Sequence, residues 1–363
     1  MKKIHVLGNK KGCYSRHLYP IRVFDRELHD NGFDVEYFFH PADKGIHECD
    51  VLIFMEASFG EFLPITNTDQ NSVAEYLAKY LQGFNKVIWF DDHDSSGMLR
   101  TYIFPFIDNY TKSQLLINKK YYQEHHYFGV LHRDYVYGQI HTTENPTFKG
   151  VISDEFIQKL KVGWNTAFIN WQYFNHHSPY IKELFLKNCR SNKITLTAPN
   201  LSKRNLHISY RASLWANYPS IGWWRTNTKN LIENYIKKNQ QYYMNSFDKI
   251  NKQEYLAEMK HSIICPSPFG MGEICYRDFE CFMNGSLLLK PKMDHMETWP
   301  PLYTDNETYI SHKWDFSDFE EKIDTIIGHP GAYEDIARIG QERFIKALSD
   351  GPGFVKYFKE MID

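Results

Sequence analysis

Cysteine pairs, blocks of like charge and long apolar runs are all missing from this sequence. The six cysteines are scattered along 363 residues with no Cys-x-x-Cys pair, and several lie in apolar runs, where a free thiol behaves as a small hydrophobic group. The basic start leads into an apolar run too brief for a signal peptide, and no run approaches the roughly 20 residues of a membrane span. These absences predict a reduced, cytoplasmic protein without a membrane span, which could still act on material at the inner face of the membrane through peripheral contact.

The charge balance disfavours partners that bind mainly through electrostatics. The formal net charge is −2 and there is no polybasic block, so a nucleic-acid partner is not expected. Hydrophobic residues make up 42% of the chain and charged residues 24%, which is typical of a folded globular protein. Because 363 residues exceed the size of one ordinary hydrophobic core, we expect two domains.

The first half alternates between strand and helix patterns. Strands are predicted at residues 3–7, 33–39, 50–55 and 86–90, with helices at 16–29 and 72–81. Such βαβ units form a parallel sheet that is covered on both faces, and ligands bind beyond the carboxyl ends of its strands. The loops at residues 8–12, 56–61 and 91–97 should therefore surround one cleft.

The second half is predicted to form another parallel sheet with its own helices. The pattern predicts a helix at 108–122, an extended segment at 135–143, strands at 193–198, 262–265, 285–290 and 308–310, and helices at 227–239, 254–260, 316–327 and 332–348. We therefore predict an α/β protein with one domain at 1–165, a second domain at 166–345 and a C-terminal helix at 346–363 that packs back toward the first domain.

The segment at residues 262–291 contains the most informative pattern in the chain. It reads as a strand, a Pro/Gly-rich loop, an amphipathic helix, an Asn-Gly stop and a further strand. Gly270 and Gly272 would let the backbone approach a ligand closely, and a helix beginning near Glu273 would present free N–H groups to an anion. This order of elements predicts a phosphate site.

Polar residues recur on one face of that predicted helix. Glu273, Arg277, Glu280 and Asn284 follow one another at steps of four, three and four. Arg277 could form a bidentate contact with a phosphate, and Glu280 could accept hydrogen bonds from ribose hydroxyls. The alternative is a solvated helix on which Arg277 merely bridges the two glutamates, but such a helix has no need of two glycines before it.

These residues resemble a known family of transferases. The segment is similar to the donor-binding segment of GT-B glycosyltransferases, in particular the exostosin-like and the bacterial capsule or lipopolysaccharide branches, at Pro266, Gly270, Arg277, Phe279, Glu280, Gly285 and Leu288. The resemblance implies that Arg277 contacts the donor phosphates and that Glu280 binds the ribose or the donor sugar. It also implies two Rossmann-like parallel-sheet domains that face a central cleft, with the acceptor side at 1–165 and the donor-binding side at 166–345.

The same resemblance implies the activity. It predicts transfer of a sugar from a nucleotide-sugar donor to a hydroxyl of a glycan or glycolipid acceptor in bacterial surface polysaccharide synthesis, without a cofactor or a metal. One feature departs from the family pattern. Many retaining members carry two glutamates separated by seven residues, whereas six residues separate Glu273 and Glu280, so retaining and inverting chemistry both stay open.

Further donor-side contacts are expected from basic residues near the predicted strands. Lys203 and Arg211 follow the strand predicted at 193–198, and His295 follows the one at 285–290. A metal site built on His295 and Glu297 is disfavoured because no third ligand has a suitable spacing.

A cluster of ionisable residues follows the strand at 86–90. Asp92 or His93 could accept the proton of an acceptor hydroxyl, although a hydrogen-bonded turn is the alternative. The Asp-x-Asp pair of Asp92 and Asp94 also resembles the metal motif of GT-A glycosyltransferases, which we disfavour because the glycine loop already supplies a donor site. Asn9 and Lys10, with Asp94, are predicted to lie on the acceptor side.

Two other classes of function remain open from the sequence. One is another nucleotide-binding Rossmann enzyme, such as a sugar-nucleotide epimerase or an oxidoreductase, although Gly8 and Gly12 lack the third glycine of a dinucleotide fingerprint. The other is a non-catalytic subunit that binds a nucleotide or a sugar. The adjacent Trp223 and Trp224 could stack on a sugar, but we favour a place in the core.

Overall fold

The protein contains two parallel sheets, one in each half of the chain. The computed structural model describes residues 1–8, 17–56, 70–168, 195–241 and 247–363. Within these residues no helix has the length and apolar character needed to cross a membrane. The predicted α/β class with two Rossmann-like parallel sheets is confirmed.

All strands of the first sheet run parallel. Their order is β2-β1-β3-β4-β5-β7. The strands are β1 (Lys2–Leu7), β2 (Phe33–Phe38), β3 (Val51–Met55), β4 (Val87–Asp91), β5 (Asn109–Lys112) and β7 (Leu160–Val162). Strands β3, β4 and β5 are buried along their whole length, as expected where helices cover both faces of a parallel sheet. The helices of this half are α1 (Tyr19–Val23), α2 (Asp25–Asp30), α3 (Gln70–Leu81), α4 (Leu131–Ile140) and α5 (Asp154–Ile157).

The second sheet is also parallel and has the order β12-β10-β9-β8. Its strands are β8 (Leu206–Ile208), β9 (Ser262–Pro266), β10 (Leu287–Pro291) and β12 (Ile310–His312). The helices of this half are α6 (Pro219–Lys238), α7 (Lys252–His261), α8 (Tyr276–Asn284), α9 (Phe319–Gly328) and α10 (Glu334–Ser349). Helix α8 ends at Gly285, whose φ of 63° is left-handed and favours glycine.

An antiparallel strand pair and the last helix connect the halves. Strand β6 (Gln114–Leu116) pairs antiparallel with β11 (Met296–Thr298) from the second half. The last helix, α11 (Gly351–Ile362), returns to the first sheet, where Phe354 and Phe358 share a core with Ile4 and Val6. Lys2 Nζ also lies 2.9 Å from Asp363 Oδ1. The domain limits of 1–165 and 166–345 stay a prediction.

Three predicted elements were wrong. Residues 108–122 form β5, β6 and a short 3-10 turn instead of a helix, since the backbone of Asn109–Lys112 pairs with strands on both sides. Residues 135–143 were predicted as extended but belong largely to α4, whose buried face includes His132 and Arg133. Because this buried face contains polar residues, the apolar residues do not recur at the spacing that predicts a helix.

The third error concerns the first strand of the second sheet. The described part of residues 193–198 forms no strand, and Leu206–Ile208 takes that place as β8. A strand of three residues is too short to give an alternating pattern. The helix predicted at 16–29 is divided between α1 and α2.

Candidate functional site

A pocket of about 540 Å³ lies at the carboxyl ends of β8 and β9. Arg211 and Ser213 line it from the chain after β8, Pro268 from the chain after β9, and Tyr276 and Arg277 from the first turn of α8. The carboxyl edge of a parallel sheet is where such folds bind ligands, and the amino end of a helix favours anions. The fold therefore places this pocket where a phosphate would be bound.

Basic side chains dominate the lining. They come from Arg211, Arg225, Lys249, Lys252 and Arg277. Arg211 forms two hydrogen bonds to the Glu258 carboxylate, at 3.0 and 2.7 Å, and Lys252 pairs with Glu280. Among the residues that the structure describes, neither Arg225 nor Arg277 contacts a carboxylate. Two guanidinium groups thus face the pocket without a neutralising partner.

The partners of these two arginines are uncharged. Arg277 donates to the carbonyls of Arg211 and Pro266, the latter at 3.4 Å, and lies 3.5 Å from the Tyr255 hydroxyl. Arg225 donates from Nη1 to the Ser213 carbonyl at 2.9 Å, whereas its buried Nε has no hydrogen-bond partner within the described residues. Burial, together with the nearby charge of Arg277, lowers the pKa of Arg225. An anion in the pocket would relieve this unfavourable arrangement.

Glu280 supplies a carboxylate to the same pocket. It lies on α8 and is almost fully buried. The Tyr255 hydroxyl donates to its Oε2 at 3.0 Å, and Lys252 binds its Oε1. Both partners come from α7. Helix α7 therefore orients the Glu280 carboxylate, which can accept hydrogen bonds from hydroxyl groups of a ligand.

The glycine loop before α8 turns toward the first half of the chain. A Cβ at Gly272 would lie 1.6 Å from the Asp94 carbonyl oxygen, so this glycine permits close packing of one half on the other. A Cβ at Gly270 would lie 3.0 Å from Arg225 Nη2. Gly270 therefore lies against Arg225 of the pocket, and Gly272 lies against the loop that follows β4.

Glu273 does not belong to α8, which begins at Tyr276. The helix starts later than predicted because the Asp278 carboxylate accepts from the Cys275 N–H at 3.1 Å and so caps the first turn. Glu273 is fully buried and accepts from the Ser96 N–H at 3.0 Å and the Ser96 hydroxyl at 2.6 Å. It thus faces the first half of the chain and is not on the pocket face with Arg277 and Glu280.

An acid–base cluster lies at the carboxyl ends of β3 and β4. Asp91 accepts from the Tyr110 hydroxyl at 2.6 Å, from Lys112 Nζ at 2.7 Å and from His93 Nδ1 at 3.0 Å. Glu56 accepts from Arg100 Nε at 2.5 Å and lies 3.2 Å from the same His93 nitrogen. Two buried carboxylates therefore surround His93.

This environment separates the roles of His93 and Asp92. Although burial opposes it, bonding to Asp91 and Glu56 raises the pKa of His93 to about 10, so its ring is protonated at neutral pH and cannot accept a proton. Burial and the charges of Glu56 and Asp91 raise the pKa of Asp92 to about 7. A carboxylate with a pKa near the working pH is suited to general-base catalysis. Of the two predicted bases, Asp92 is the one whose pKa lies near neutral pH.

The same cluster has ligand atoms that could hold a metal. One atom each from Glu56, Asp91 and His93 all lie within 4.8 Å of one another. Arg100 and Lys112 already pair with the two carboxylates, so the negative charge is balanced by cations of the chain itself. The donor set thus fits an ion-pair network better than a divalent ion.

The remaining predicted residues are dispersed. Lys203 is exposed in the turn before β8 and therefore lies at the edge of the sheet opposite to the pocket. His295 is half-buried between the rings of Phe269 and Trp314, and burial lowers its pKa. The side chain of Asp94 is exposed.

Some of the predicted residues cannot be placed in either site. Asn9 and Lys10 lie outside the residues that the structure describes. Trp224 is fully buried and Trp223 partly so, which agrees with a place in the core.

Sequence reasoning missed several residues of the two sites. They are Glu56, Arg100, Lys112, Arg225, Lys252 and Tyr255. Glu56 could have been found, because it ends a buried apolar strand at the predicted cleft. Arg225 follows two tryptophans within a long helix, where no local pattern marks a ligand contact.

Comparisons with known proteins give structural neighbours only. No protein-family model and no curated protein matches the chain. Among solved structures, an α-glucosyltransferase in complex with UDP is 13% identical over 100% of both chains with a TM-score of 0.45. T4 phage β-glucosyltransferase is 12% identical over 100% of both chains, with a TM-score of 0.44. HepE from Anabaena, in complex with UDP-glucose, is 10% identical over 99% of both chains, with a TM-score of 0.41.

Proposed function

We propose that this protein is a GT-B glycosyltransferase that moves a sugar from a nucleotide-sugar donor to a hydroxyl of a glycan or glycolipid, without a metal ion. One observation carries the proposal. Arg225 and Arg277 face one pocket at the carboxyl edge of the second sheet, and no described carboxylate neutralises them. A nucleoside diphosphate supplies the missing negative charge.

The donor would bind with its diphosphate at the amino end of α8. Arg277, Arg225 and the free N–H groups of that helix would stabilise the negative charge that develops on the leaving nucleotide. Glu280, oriented by Lys252 and Tyr255, would accept hydrogen bonds from the ribose hydroxyls. Charge stabilisation by arginines and backbone amides takes the role that a metal has in other transferases.

The acceptor would be activated from the first half of the chain. Asp92 would take the proton of the acceptor hydroxyl while the hydroxyl oxygen forms a bond to the anomeric carbon of the donor sugar. The bond from that carbon to the phosphate oxygen would break, and the nucleoside diphosphate would leave. His93, protonated between Asp91 and Glu56, would remain a fixed positive charge beside the base. The sequence resemblance supports an acceptor of the bacterial surface polysaccharide class, and the scattered, unpaired cysteines support work in the cytoplasm, at the inner face of the membrane.

Thermal unfolding with a panel of nucleotides tests the proposal. We would measure the midpoint with UDP, GDP, CMP, ADP and NAD, each in EDTA and in Mn²⁺. A ligand at about 100 times its dissociation constant adds roughly 2.7 kcal/mol of stability, which should raise the midpoint by several degrees. We expect one nucleoside diphosphate to raise it in EDTA, and we expect Arg277→Ala to abolish that rise.

The other outcomes separate the alternatives. A rise that requires Mn²⁺ would contradict the metal-free mechanism, and a rise with NAD alone would favour an oxidoreductase or an epimerase. If a nucleotide binds but the protein releases no nucleotide from the corresponding nucleotide sugar, a non-catalytic subunit would be favoured. The exposed Arg338, which pairs with Asp335 and Glu342 on α10, is the control position, and Arg338→Ala should retain the rise.

A further inference from the structure

One buried carboxylate joins the two predicted halves of the active site. Glu273 comes from the loop before α8, whereas Ser96 comes from the loop after β4, and both side chains are fully buried or nearly so. The Ser96 N–H donates to Glu273 Oε2 at 3.0 Å and the Ser96 hydroxyl to Oε1 at 2.6 Å. The same serine is thus bound twice by one carboxylate.

Other contacts surround this link on both sides. His132, fully buried on α4, lies with Nδ1 3.5 Å from Glu273 Oε1 and with Nε2 3.2 Å from the Gly270 carbonyl oxygen. The Tyr122 hydroxyl donates to the Ser96 carbonyl at 2.7 Å. Gly272 packs directly on the Asp94 carbonyl. The loop that leads into α8 and Arg277 is therefore held against the loop that contains Asp92.

We propose that Glu273 is a positioning residue that fixes the Asp92 loop against the donor site, and that it is not a ligand of the donor. This inference rests on the proposed function, because it assigns a purpose to the link between the base and the donor pocket. Glu273 has no exposed surface, its two oxygens are taken by Ser96 and it is absent from the pocket lining. Reacting groups must be held within about an ångström, since a displacement of that size can reduce the rate by about 100-fold.

The chain contains a matched control for this motif. Asp305 accepts from the Ser311 N–H at 2.8 Å and from the Ser311 hydroxyl at 2.7 Å. The hydrogen bonds repeat those of Glu273 and Ser96, and Ser311 is also buried, whereas Asp305 is half-buried. Both residues of this second pair belong to the second half of the chain, so the pair does not reach the Asp92 loop. Asp305→Ala reproduces the loss of a carboxylate–serine pair without the link between the halves.

Hydrogen exchange tests the positioning role without a known substrate. We would compare the amides of residues 92–98 in the wild type and in Glu273→Ala, Glu273→Gln, Ser96→Ala and Asp305→Ala. We expect exchange in this segment to rise at least about 10-fold in Glu273→Ala, because the loop opens locally once its anchor is lost. Glutamine can keep both hydrogen bonds, with its amide donating to the Ser96 hydroxyl, so Glu273→Gln should restore protection. Asp305→Ala should leave residues 92–98 unchanged.

Binding and turnover measurements then separate positioning from donor binding. With the nucleotide that raises the unfolding midpoint, we expect Glu273→Ala and Ser96→Ala to change the dissociation constant less than about threefold. We would also measure how fast the enzyme releases that nucleotide from the corresponding nucleotide sugar. The kcat of this reaction should be about 10- to 100-fold lower in Glu273→Ala than in the wild type. Ser96→Ala provides the test if the glutamate variant fails to fold.

Two results would overturn the inference. One is unchanged exchange in residues 92–98 of both Glu273→Ala and Ser96→Ala. The other is a loss of nucleotide affinity in Glu273→Ala as large as that in Arg277→Ala. Failure of every nucleotide to bind the wild type would instead contradict the proposed function, and the exchange experiment would still decide whether Glu273 anchors the loop.

Discussion

Arg225 and Arg277 reach the same pocket from two different helices, and no carboxylate in the described part of the chain neutralises either guanidinium. Burial, and to a smaller extent the positive charge of Arg277, lowers the pKa of Arg225. The remaining basic residues of the pocket that form ion pairs, Arg211 and Lys252, are bound to Glu258 and Glu280. An anion bound between α6 and α8 would therefore meet two guanidinium groups that no described carboxylate neutralises.

Replacing either unpaired arginine should weaken the binding of a nucleoside diphosphate. We expect Arg225→Ala and Arg277→Ala each to raise the dissociation constant about 10- to 100-fold, because a hydrogen bond to a charged group contributes about 1.5–3 kcal/mol and about 1.4 kcal/mol is a factor of ten. The affinity for the matching nucleoside, which has no phosphate, should not change. Titration calorimetry measures both. An equal loss for nucleoside and diphosphate would place the arginines elsewhere than at the phosphates.

The sequence predicted the strand, helix and strand of residues 262–291 because the signals for these elements are local. Strand β9 is an apolar run with no polar residue inside it, and α8 shows strong apolar periodicity before an Asn-Gly stop. Arg277 and Glu280 are one turn apart on that helix, so their common face follows from the period alone. Arg211 was found as well, although the strand before it was misplaced.

The remainder of both sites depends on tertiary packing. Lys252 and Tyr255 orient Glu280 from another helix, and Lys112 reaches Asp91 from the neighbouring strand β5. A pattern within one segment contains no information about such pairs. The predicted helix placed Glu273 on one face with Arg277 and Glu280, whereas α8 begins three residues later, at Tyr276, where Asp278 caps its first turn.

The rate of nucleotide release should depend on the ionisation of Asp92. Its pKa is raised to about 7, so the active carboxylate form predominates only above that pH. We expect kcat to rise about tenfold per pH unit below 7 and to level off above it. Asp92→Asn should remove this dependence and lower kcat by about 100- to 10,000-fold, the range attributed to general-base catalysis. A profile that keeps its rise near pH 7 in Asp92→Asn would assign the base to another group.

His93 should stabilise the fold at neutral pH and lose this effect in alkali. Its pKa rises from an ordinary 6.5 to about 10 in the folded protein. The folded state thus binds a proton that the unfolded chain releases between these values, so the stabilisation is complete below about 6.5 and is lost as the pH rises through about 10. We expect the difference in unfolding midpoint between wild type and His93→Gln to be largest at pH 6 and to disappear toward pH 10. A difference that grows with pH would contradict a protonated His93.

The C-terminal helix should be required for the stability of the first sheet. Phe358 on α11 is fully buried, with its ring centroid 5.6 Å from that of Phe33 and 6.2 Å from that of Trp164. Its removal leaves a cavity between the helix and the sheet. Phe358→Ala should therefore lower the free energy of unfolding by about 3–5 kcal/mol, as large-to-small changes at buried aromatic positions do.

Denaturant unfolding measures this loss, and the exposed Lys356 on the same helix supplies the control. Lys356→Ala should change the free energy of unfolding by less than about 0.5 kcal/mol. Residues 351–362 follow the second sheet in the chain, yet their apolar face completes the core of the first. Loss of stability in Phe358→Ala should therefore be accompanied by faster hydrogen exchange in β1 and β3. If exchange rose only in β9 and β10, the helix would belong to the core of the second sheet instead.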